Sequence, residues 1–305
     1  MSDLDLPPRA VAGSPAEPAP ASGGDAGRYP ALRRFAAHRM AVIGVGILAV
    51  VILLAVAAPL LATHGPNDVD LSAVNHKPGG GHLLGADNVG RDIWARLVFG
   101  ARTSLIVGFG AVAISLLIGI TIGMLAGFYG RWIAALLMRV TDAVMSVPPL
   151  VMVIVFVAIA GPSLGSVTVV IALTTWPAAA RLVRGQVLAL REREFVTAAE
   201  VIGVPRRGIV LRHLLPNLLG PLSVVGTFGV ANAILVEAGL SFLGLGVRPP
   251  TSSWGQMVNA AQSPVVLINR PWIWVPASVA IVLTVLAVNF VGDGLRDAMD
   301  VKGTR

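Results

Sequence analysis

Long apolar runs, almost free of charge, are the feature that most constrains what this chain can fold into. A helix needs about 20 apolar residues to cross a bilayer. Because the bilayer core holds no water, backbone N–H and C=O groups must hydrogen-bond within the protein, which only helices and closed β-barrels allow. Six runs approach or exceed that length: 40–62, 105–128, 140–160, 164–182, 217–240 and 274–291. The 305 residues are 55% hydrophobic and 13% charged. The sequence therefore predicts an all-α polytopic membrane protein with six transmembrane helices.

Positive charge is distributed unevenly along the chain and predicts its orientation. With the N-terminus inside, fifteen Lys and Arg residues fall in cytoplasmic segments, or seventeen with Arg9 and Arg28, against six outside. Such a bias sets membrane orientation, so both termini are expected in the cytoplasm. The formal net charge of +7 does not indicate nucleic-acid binding, because the Arg residues cluster at the ends of apolar runs. Arg91, Arg96 and Arg102 are outer exceptions, for which contact with lipid headgroups and contact with a binding protein both stay open.

The chain divides into three regions by composition. Residues 1–30 are rich in Pro, Ala, Gly and Ser and are expected to form a disordered cytoplasmic tail, since they cannot bury enough apolar surface. Residues 31–103 hold the first transmembrane helix and an outer loop. In that loop, residues 92–102 predict an amphipathic helix whose Ile93 and Val98 face the membrane surface. Residues 104–305 form a core of five further membrane helices.

Small residues and prolines inside the runs predict how the helices pack. Gly119, Gly123 and Gly127 recur every four residues, a spacing that lets helix backbones approach closely in lipid. Pro148 follows Val147 and precedes a second proline, so the third span should be kinked. Asp142 lies about one turn inside that span, where an ion pair with a nearby Arg is favoured over a proton relay.

The polar, basic segment at residues 190–216 interrupts the apolar pattern and reads as helix, tight turn, helix. Gly203 is placed for the left-handed conformation just past a helix end, and Pro205 suits the first turn of the next helix. Ala198, Ala199 and Gly203 have almost no side chain at a helical spacing. Another protein is therefore expected to approach this backbone closely.

That segment resembles the cytoplasmic loop of bacterial ABC importer permeases, E-A-A-x3-G-x9-I-x-L-P. It departs from the family pattern at Thr197, where the family has Glu, and at His213, where it has Ile. In the family the loop inserts into a groove of the ATPase subunit. The resemblance implies an ATPase-coupling loop made of Thr197, Ala198, Ala199, Gly203, Pro205, Arg206, Arg207, Leu215 and Pro216. A basic loop that only fixes membrane orientation is the alternative.

Three other stretches are similar to C-type permeases of the dipeptide/oligopeptide/nickel importer family. They are H-L-L-G-A-D-N-V-G-R-D at 82–92, L-S-F-L-G-L-G at 240–246 and G-D-G-L-R-D at 292–297. Ala86 stands where the family usually has Thr. The resemblance extends over residues 33–302, and its motifs come in the family order.

The resemblance implies the fold, the partners and the substrate class. The expected fold is that of a type I ABC importer permease in a bacterial inner membrane. The expected partners are a homologous permease, two ABC ATPase subunits, an extracytoplasmic solute-binding protein and the lipid bilayer, with no nucleic acid. Family members import di- and oligopeptides, glutathione, nickel complexes and some sugars, and peptide is the expected substrate here.

Motifs for chemistry are missing from the sequence, which predicts a transport subunit and not an enzyme. There is no G-x-x-x-x-G-K-[ST] or H-E-x-x-H and no cysteine, so ATP and magnesium are expected on the partner ATPases. His64, His76 and His82 follow spacings of twelve and six, which match no trusted ligand pattern and predict solvated loop histidines. A stand-alone ion-coupled transporter is the alternative function, but it needs ionisable groups near the bilayer midplane, and Asp142 and Glu237 lie near span ends.

Overall fold

The computed structural model describes residues 30–299. Residues 1–29 and 300–305 lie outside that description, and with them nearly all of the predicted disordered tail and the cytoplasmic charges Lys302 and Arg305.

The described chain consists of α-helices joined by turns and short 3₁₀ segments. The helices are α1 Pro30–Ala37, α2 Arg39–Val56, α3 Ala58–Leu61, α4 Ile93–Tyr129, α5 Arg131–Met145, α6 Pro149–Ala160, α7 Leu164–Arg191, α8 Glu194–Val201, α9 Arg206–Gly208, α10 Leu215–Phe242, α11 Trp254–Asn259, α12 Pro264–Asn269 and α13 Val275–Met299. A π-helical stretch, Ile209–Leu214, joins α9 to α10, so that Arg206–Phe242 runs on as one long helix. The prediction of an all-α protein is confirmed for the described residues.

Within residues 30–299, five helices are long and apolar enough to cross a membrane: α2, α4, α7, the continuous Arg206–Phe242 and α13. The predicted third span is divided, because α5 and α6 meet at an angle of 84° and count as a sixth span only when taken together. The kink predicted at the two prolines is thus a full break. A residue that precedes proline is disfavoured in the helical region, and Pro148 is extended at φ −55° and ψ 126°.

The glycine ladder of α4 packs against α7, as the sequence predicts. A Cβ added at Gly119 would lie 2.6 Å from the Cβ of Ala179, and one at Gly127 would lie 2.7 Å from the Cβ of Val187. A Cβ at Gly123 would lie 2.6 Å from the carbonyl oxygen of Ala180. Real Cβ atoms do not come that close, so the two backbones are in contact only because these residues are glycine.

The predicted amphipathic helix at residues 92–102 is not a separate element. It forms the first turns of α4, which has 37 residues and is therefore about 55 Å long, well beyond the hydrocarbon thickness. Ile93 and Val98 are buried in the protein core and do not lie on the membrane surface. Asp92 caps the helix by accepting from the Ala95 N–H at 2.7 Å. The helix continues because no Gly-Pro or turn signal separates its outer turns from the apolar run.

The loops before α4 and after α10 meet at the end of the helices that is predicted to face outside. They form a cap, residues 63–92 and 243–274, that is called the outer cap after this predicted orientation, and inner refers to the opposite end. Asp87 is buried and organises it: one carboxylate oxygen accepts from the N–H groups of Val89 and Arg91, each at 2.9 Å, and the other accepts from the Arg91 Nε at 2.7 Å. The buried Arg96 guanidinium lies 3.9 Å from the same carboxylate and donates to the Gln256 side chain at 2.9 Å. Nearby, the Ser72 hydroxyl and N–H donate to Asp70 and hold the pKa of that exposed carboxyl below its ordinary value.

Candidate functional site

The turn after α8 has the geometry that the sequence predicts. Gly203 has φ +81°, its N–H donates to the Glu200 carbonyl at 3.0 Å, and the Val204 N–H donates to the Ala199 carbonyl at 3.0 Å. These two bonds make a Schellman motif, which satisfies carbonyls that the helix end would leave unpaired. The turn is therefore held by its own backbone, and Gly203 is needed for its left-handed conformation.

The second arm of the predicted helix–turn–helix differs from the prediction. Pro205 precedes α9 as its N-cap, with φ −62° and ψ 145°, instead of lying in its first turn. The helix that follows is not a separate short helix, since it continues through the π-helical stretch into α10, where the Leu215 N–H donates to the Val210 carbonyl. A wide π turn directly before Pro216 accommodates a residue that lacks an N–H. α8 is thus fixed by a tight turn to the inner extension of the fifth predicted span.

The two alanines of the motif face opposite ways. Ala199 is buried, together with Val196, Ile209 and Leu214, against the inner ends of α4 and α7. The expectation that Ala199 offers its backbone to another protein is therefore wrong, because the face of α8 that carries it packs on its own chain. The remaining predicted residues are Leu215, which is partly buried, and Thr197, Ala198, Gly203, Pro205, Arg206, Arg207 and Pro216, which are exposed.

Apolar and cationic side chains share the exposed tip of this segment. Val201 is 82% exposed and Ile202 is 78% exposed. Arg206 and Arg207 are also exposed, and no ion pair or side-chain hydrogen bond of either is present within residues 30–299. By contrast, Arg191 at the base of the segment donates to the carbonyls of Gly127 and Phe128, each at 3.1 Å. The sequence motif did not single out Val201 and Ile202, although two adjacent apolar residues at a predicted helix end are a readable signal.

A cavity of about 470 Å³ lies between α4, α7, α10 and the break between α5 and α6. Its lining combines hydroxyls, an amide and apolar groups: Ser115, Thr175, Asn232, Met145, Pro177 and Phe228. The Thr175 hydroxyl donates to the Ser115 hydroxyl at 3.1 Å. Its size is typical of ligand sites, and none of the described side chains that line it is charged. The sequence did not identify these residues, because their positions follow from how five helices meet.

The ionisable groups inside the predicted spans have partners. Asp142 pairs with Arg181 at 2.5 Å, which confirms the predicted ion pair. Glu237 is fully buried, and its two carboxylate oxygens accept from the hydroxyls of Ser104 at 3.2 Å and Ser241 at 2.7 Å. Both acids therefore have local structural roles in this structure.

The outer histidines are not all solvated, contrary to the prediction. His82 is buried, its Nδ1 lies 2.8 Å from the Asp92 Oδ2, and its ring stacks on that of His64 with centroids 4.9 Å apart. The chain brings these residues together although their spacing along the sequence suggests no site.

Known protein families and individual proteins match this chain over most of its length. The family model described as binding-protein-dependent transport system inner membrane component matches residues 119–302, more than half of the chain. A second model, the N-terminal TM domain of oligopeptide transport permease C, matches residues 30–78.

Individual relatives are similar over nearly the whole chain. A Brucella ovis protein named as a candidate peptide permease is 47% identical over 281 residues, covering 92% of each chain. The dipeptide transport system permease protein DppC of Alkalihalophilus pseudofirmus is 41% identical over 272 residues, covering 89% of each. A chain of the MetNI methionine ABC transporter, solved in inward-facing conformations, shares the fold with a TM-score of 0.54 and 21% identity over 69% of this chain and 97% of its own.

Proposed function

Because the chain belongs to the family of inner-membrane components of binding-protein-dependent transport systems, we propose that it is the permease subunit of an ATP-driven importer of di- and oligopeptides. A homologous permease completes the translocation path with it. Two ABC ATPase subunits bind ATP and magnesium on the cytoplasmic face, and a solute-binding protein delivers the substrate outside. Relatives named for peptides and dipeptides at 47% and 41% identity support the substrate class.

The observation that carries this proposal is the shape of the coupling segment at residues 190–216. An exposed apolar tip, Val201 and Ile202, stands beside two exposed cations, and a hydrogen-bonded turn fixes it to the inner end of α10. Such a tip suits an apolar groove with acidic or carbonyl acceptors at its rim. When ATP closes the ATPase dimer, movement of that groove would be passed to α10 and α7, which also line the cavity.

The cavity between these five helices is this chain's contribution to the substrate path. Its uncharged hydroxyl and amide groups can hydrogen-bond a peptide backbone, while its apolar groups accept varied side chains. A wall without fixed charge avoids binding one charged side chain too tightly to release it. In the topology that goes with this path, α5 and α6 together make the third of six spans, and both termini are cytoplasmic.

The topology is tested by cysteine labelling, because the chain has no cysteine of its own. Ser72, Thr251 and Thr197 are all exposed. A membrane-impermeant maleimide should label Ser72→Cys and Thr251→Cys in intact cells, and Thr197→Cys only after permeabilisation. Labelling of Thr197→Cys in intact cells would contradict the orientation and the coupling role together.

Reconstitution tests the function itself. Liposomes that contain this chain, its homologous permease and the two ATPases should accumulate a labelled dipeptide only with ATP and the solute-binding protein. The ion-coupled alternative is less favoured, since Asp142 is paired with Arg181 and Glu237 is held by the hydroxyls of Ser104 and Ser241. Uptake by this chain alone, driven by a proton or sodium gradient, would establish that alternative instead.

A further inference from the structure

Three side chains with metal-binding atoms lie close together in the outer cap. His64, His82 and Asp92 each offer one ligand atom, and these atoms all lie within 4.8 Å of one another. They come from separate places in the chain: His64 follows α3, His82 lies in the loop, and Asp92 is the N-cap of α4. His82 and Asp92 are the first and last residues of the 82–92 stretch, and the fold brings His64 to them.

The cluster contains a close contact between a buried histidine and a buried carboxylate. The His82 Nδ1 lies 2.8 Å from the Asp92 Oδ2, and both side chains are buried, at 6% and 4% exposure. The His64 ring stacks on the His82 ring at 4.9 Å with an interplanar angle of 27°. The His82–Asp92 contact by itself is explained as a support for the helix cap. The helix cap does not need His64, whose Nδ1 contacts the neighbouring Thr63 hydroxyl at 3.1 Å and whose other ring nitrogen is left for a ligand.

We propose that His64, His82 and Asp92 bind a divalent transition-metal ion, of the zinc, copper or nickel class, on the outer face of the protein. Two imidazoles and one carboxylate suit these ions, whereas calcium and magnesium prefer sets made only of oxygen. Ligand atoms of a tetrahedral zinc site lie about 3.3 Å apart, given bonds of about 2.0–2.1 Å. The 2.8 Å contact must therefore open slightly, and the distances of up to 4.8 Å must shorten.

The surroundings permit that adjustment and give the ion a way in. A cavity of about 450 Å³ is lined by His82, Asp92 and the three glycines Gly79, Gly80 and Gly81. All three glycines have positive φ, and open space surrounds Gly79 and Gly81. Water from this cavity would supply a fourth ligand. Bound metal would join the chain after α3 to the N-terminus of α4.

The experiment uses the full chain, purified in detergent without a polyhistidine tag, stripped with chelator and titrated with zinc alone. One zinc per chain and a rise in Tm are expected, because an ion that binds only the folded state stabilises it. Cobalt should give the absorption of a tetrahedral site. Asp92→Asn should lower zinc affinity about 10–100-fold while keeping the cap, since Asn is also a good N-cap residue.

His64→Ala is the decisive variant, because it leaves the His82–Asp92 contact in place and should lower zinc affinity at least as much as Asp92→Asn. His76→Ala is the near control: its ring lies 6.3 Å from that of His82, and its Nδ1 contacts the Lys77 carbonyl at 2.6 Å. His213→Ala, in the coupling segment, is the distant control. Both controls should bind zinc like the wild type. No stoichiometric zinc, unchanged binding in His64→Ala, or an equal loss in His76→Ala would each overturn the assignment, and none of these results depends on transport.

Discussion

The outer cap and the coupling segment both carry clustered arginines, but they use them in opposite ways. Outside, Arg91 and Arg96 share the Asp87 carboxylate, and Arg102 donates to the carbonyls of Ala55 and Val56 at the end of α2. These three residues, whose role the sequence leaves open, hold the chain to itself. Inside, Arg206 and Arg207 have no such partner within residues 30–299. Similar cations therefore serve stability at one end and remain available for binding at the other.

The same helix-ending turn occurs in the coupling segment and in the outer cap. The two regions therefore differ in their tertiary contacts and not in their local backbone. After α10, Gly244 has φ +79°, and the N–H of Leu245 donates to the Leu240 carbonyl at 2.8 Å, as at Gly203. The outer turn is also held by residues later in the chain, since the side chains of Asn259 and Gln262 both donate to the Phe242 carbonyl. The inner turn has only its own backbone bonds and the packing behind α8. One local motif thus makes a fixed corner outside and a protruding tip inside.

The largest effect is expected when the internal bonding of the outer cap is removed. Asp87→Ala should destabilise the chain by about 3–5 kcal/mol, because it leaves the buried Arg96 uncompensated. Thermal unfolding in detergent measures this. Asp68→Ala is the control, since Asp68 is an exposed carboxylate of the same loop that accepts only from the Gly65 N–H. Equal stability of the two variants would contradict the claim that the arginines of the outer cap stabilise the chain.

A smaller and more local effect is expected at the inner turn. Gly203→Val should cost about 1–2 kcal/mol, because a Cβ there meets no atom within 4 Å and only the left-handed backbone opposes it. Membrane insertion should be normal, while substrate-stimulated ATPase activity of the complex falls. Gly203→Asn should retain more activity, since Asn tolerates this conformation.

Gly185→Val is the matched control, because Gly185 also has open space around it but lies inside α7 with ordinary helical geometry. Wild-type stimulation of ATPase activity in Gly203→Val would show that the turn does not transmit movement.

The smallest effect is expected for the free inner charges. Exposed ion pairs contribute up to about 1 kcal/mol each, so Arg206→Ala with Arg207→Ala should weaken ATPase association by up to about thirtyfold at low salt and less at high salt. Stability of the isolated chain should not change. Arg139→Ala is the control, because Arg139 is another exposed arginine that is predicted to be cytoplasmic. Equal co-purification of the ATPase at both salt concentrations would mean that these charges only fix orientation.

Local signals predicted much of the fold and part of the candidate site. Gly203 is found in the left-handed conformation, Asp142 pairs with an arginine, and the glycine ladder of α4 packs as expected, because each depends on one residue type or one spacing. The break at Pro148 was predicted only as a kink, since its angle depends on what α5 and α6 pack against.

Errors arose where packing overrides a local pattern. Residues 92–102 have an amphipathic pattern, but their apolar side faces protein, and a sequence cannot distinguish that from a membrane surface. Ala198 and Ala199 are alike in sequence, yet the direction of α8 buries one and exposes the other.

The sequence by itself determined that the chain is an all-helical membrane protein, where its helices turn, and to which family it belongs, because hydrophobicity, glycine and proline act within a few residues. The tertiary structure decided which arginines are paired, which alanine faces outward, where the cavity lies and that His64 meets His82 and Asp92. Those properties depend on contacts between residues far apart in the chain. Such contacts arise only when helices pack, so no local pattern records them.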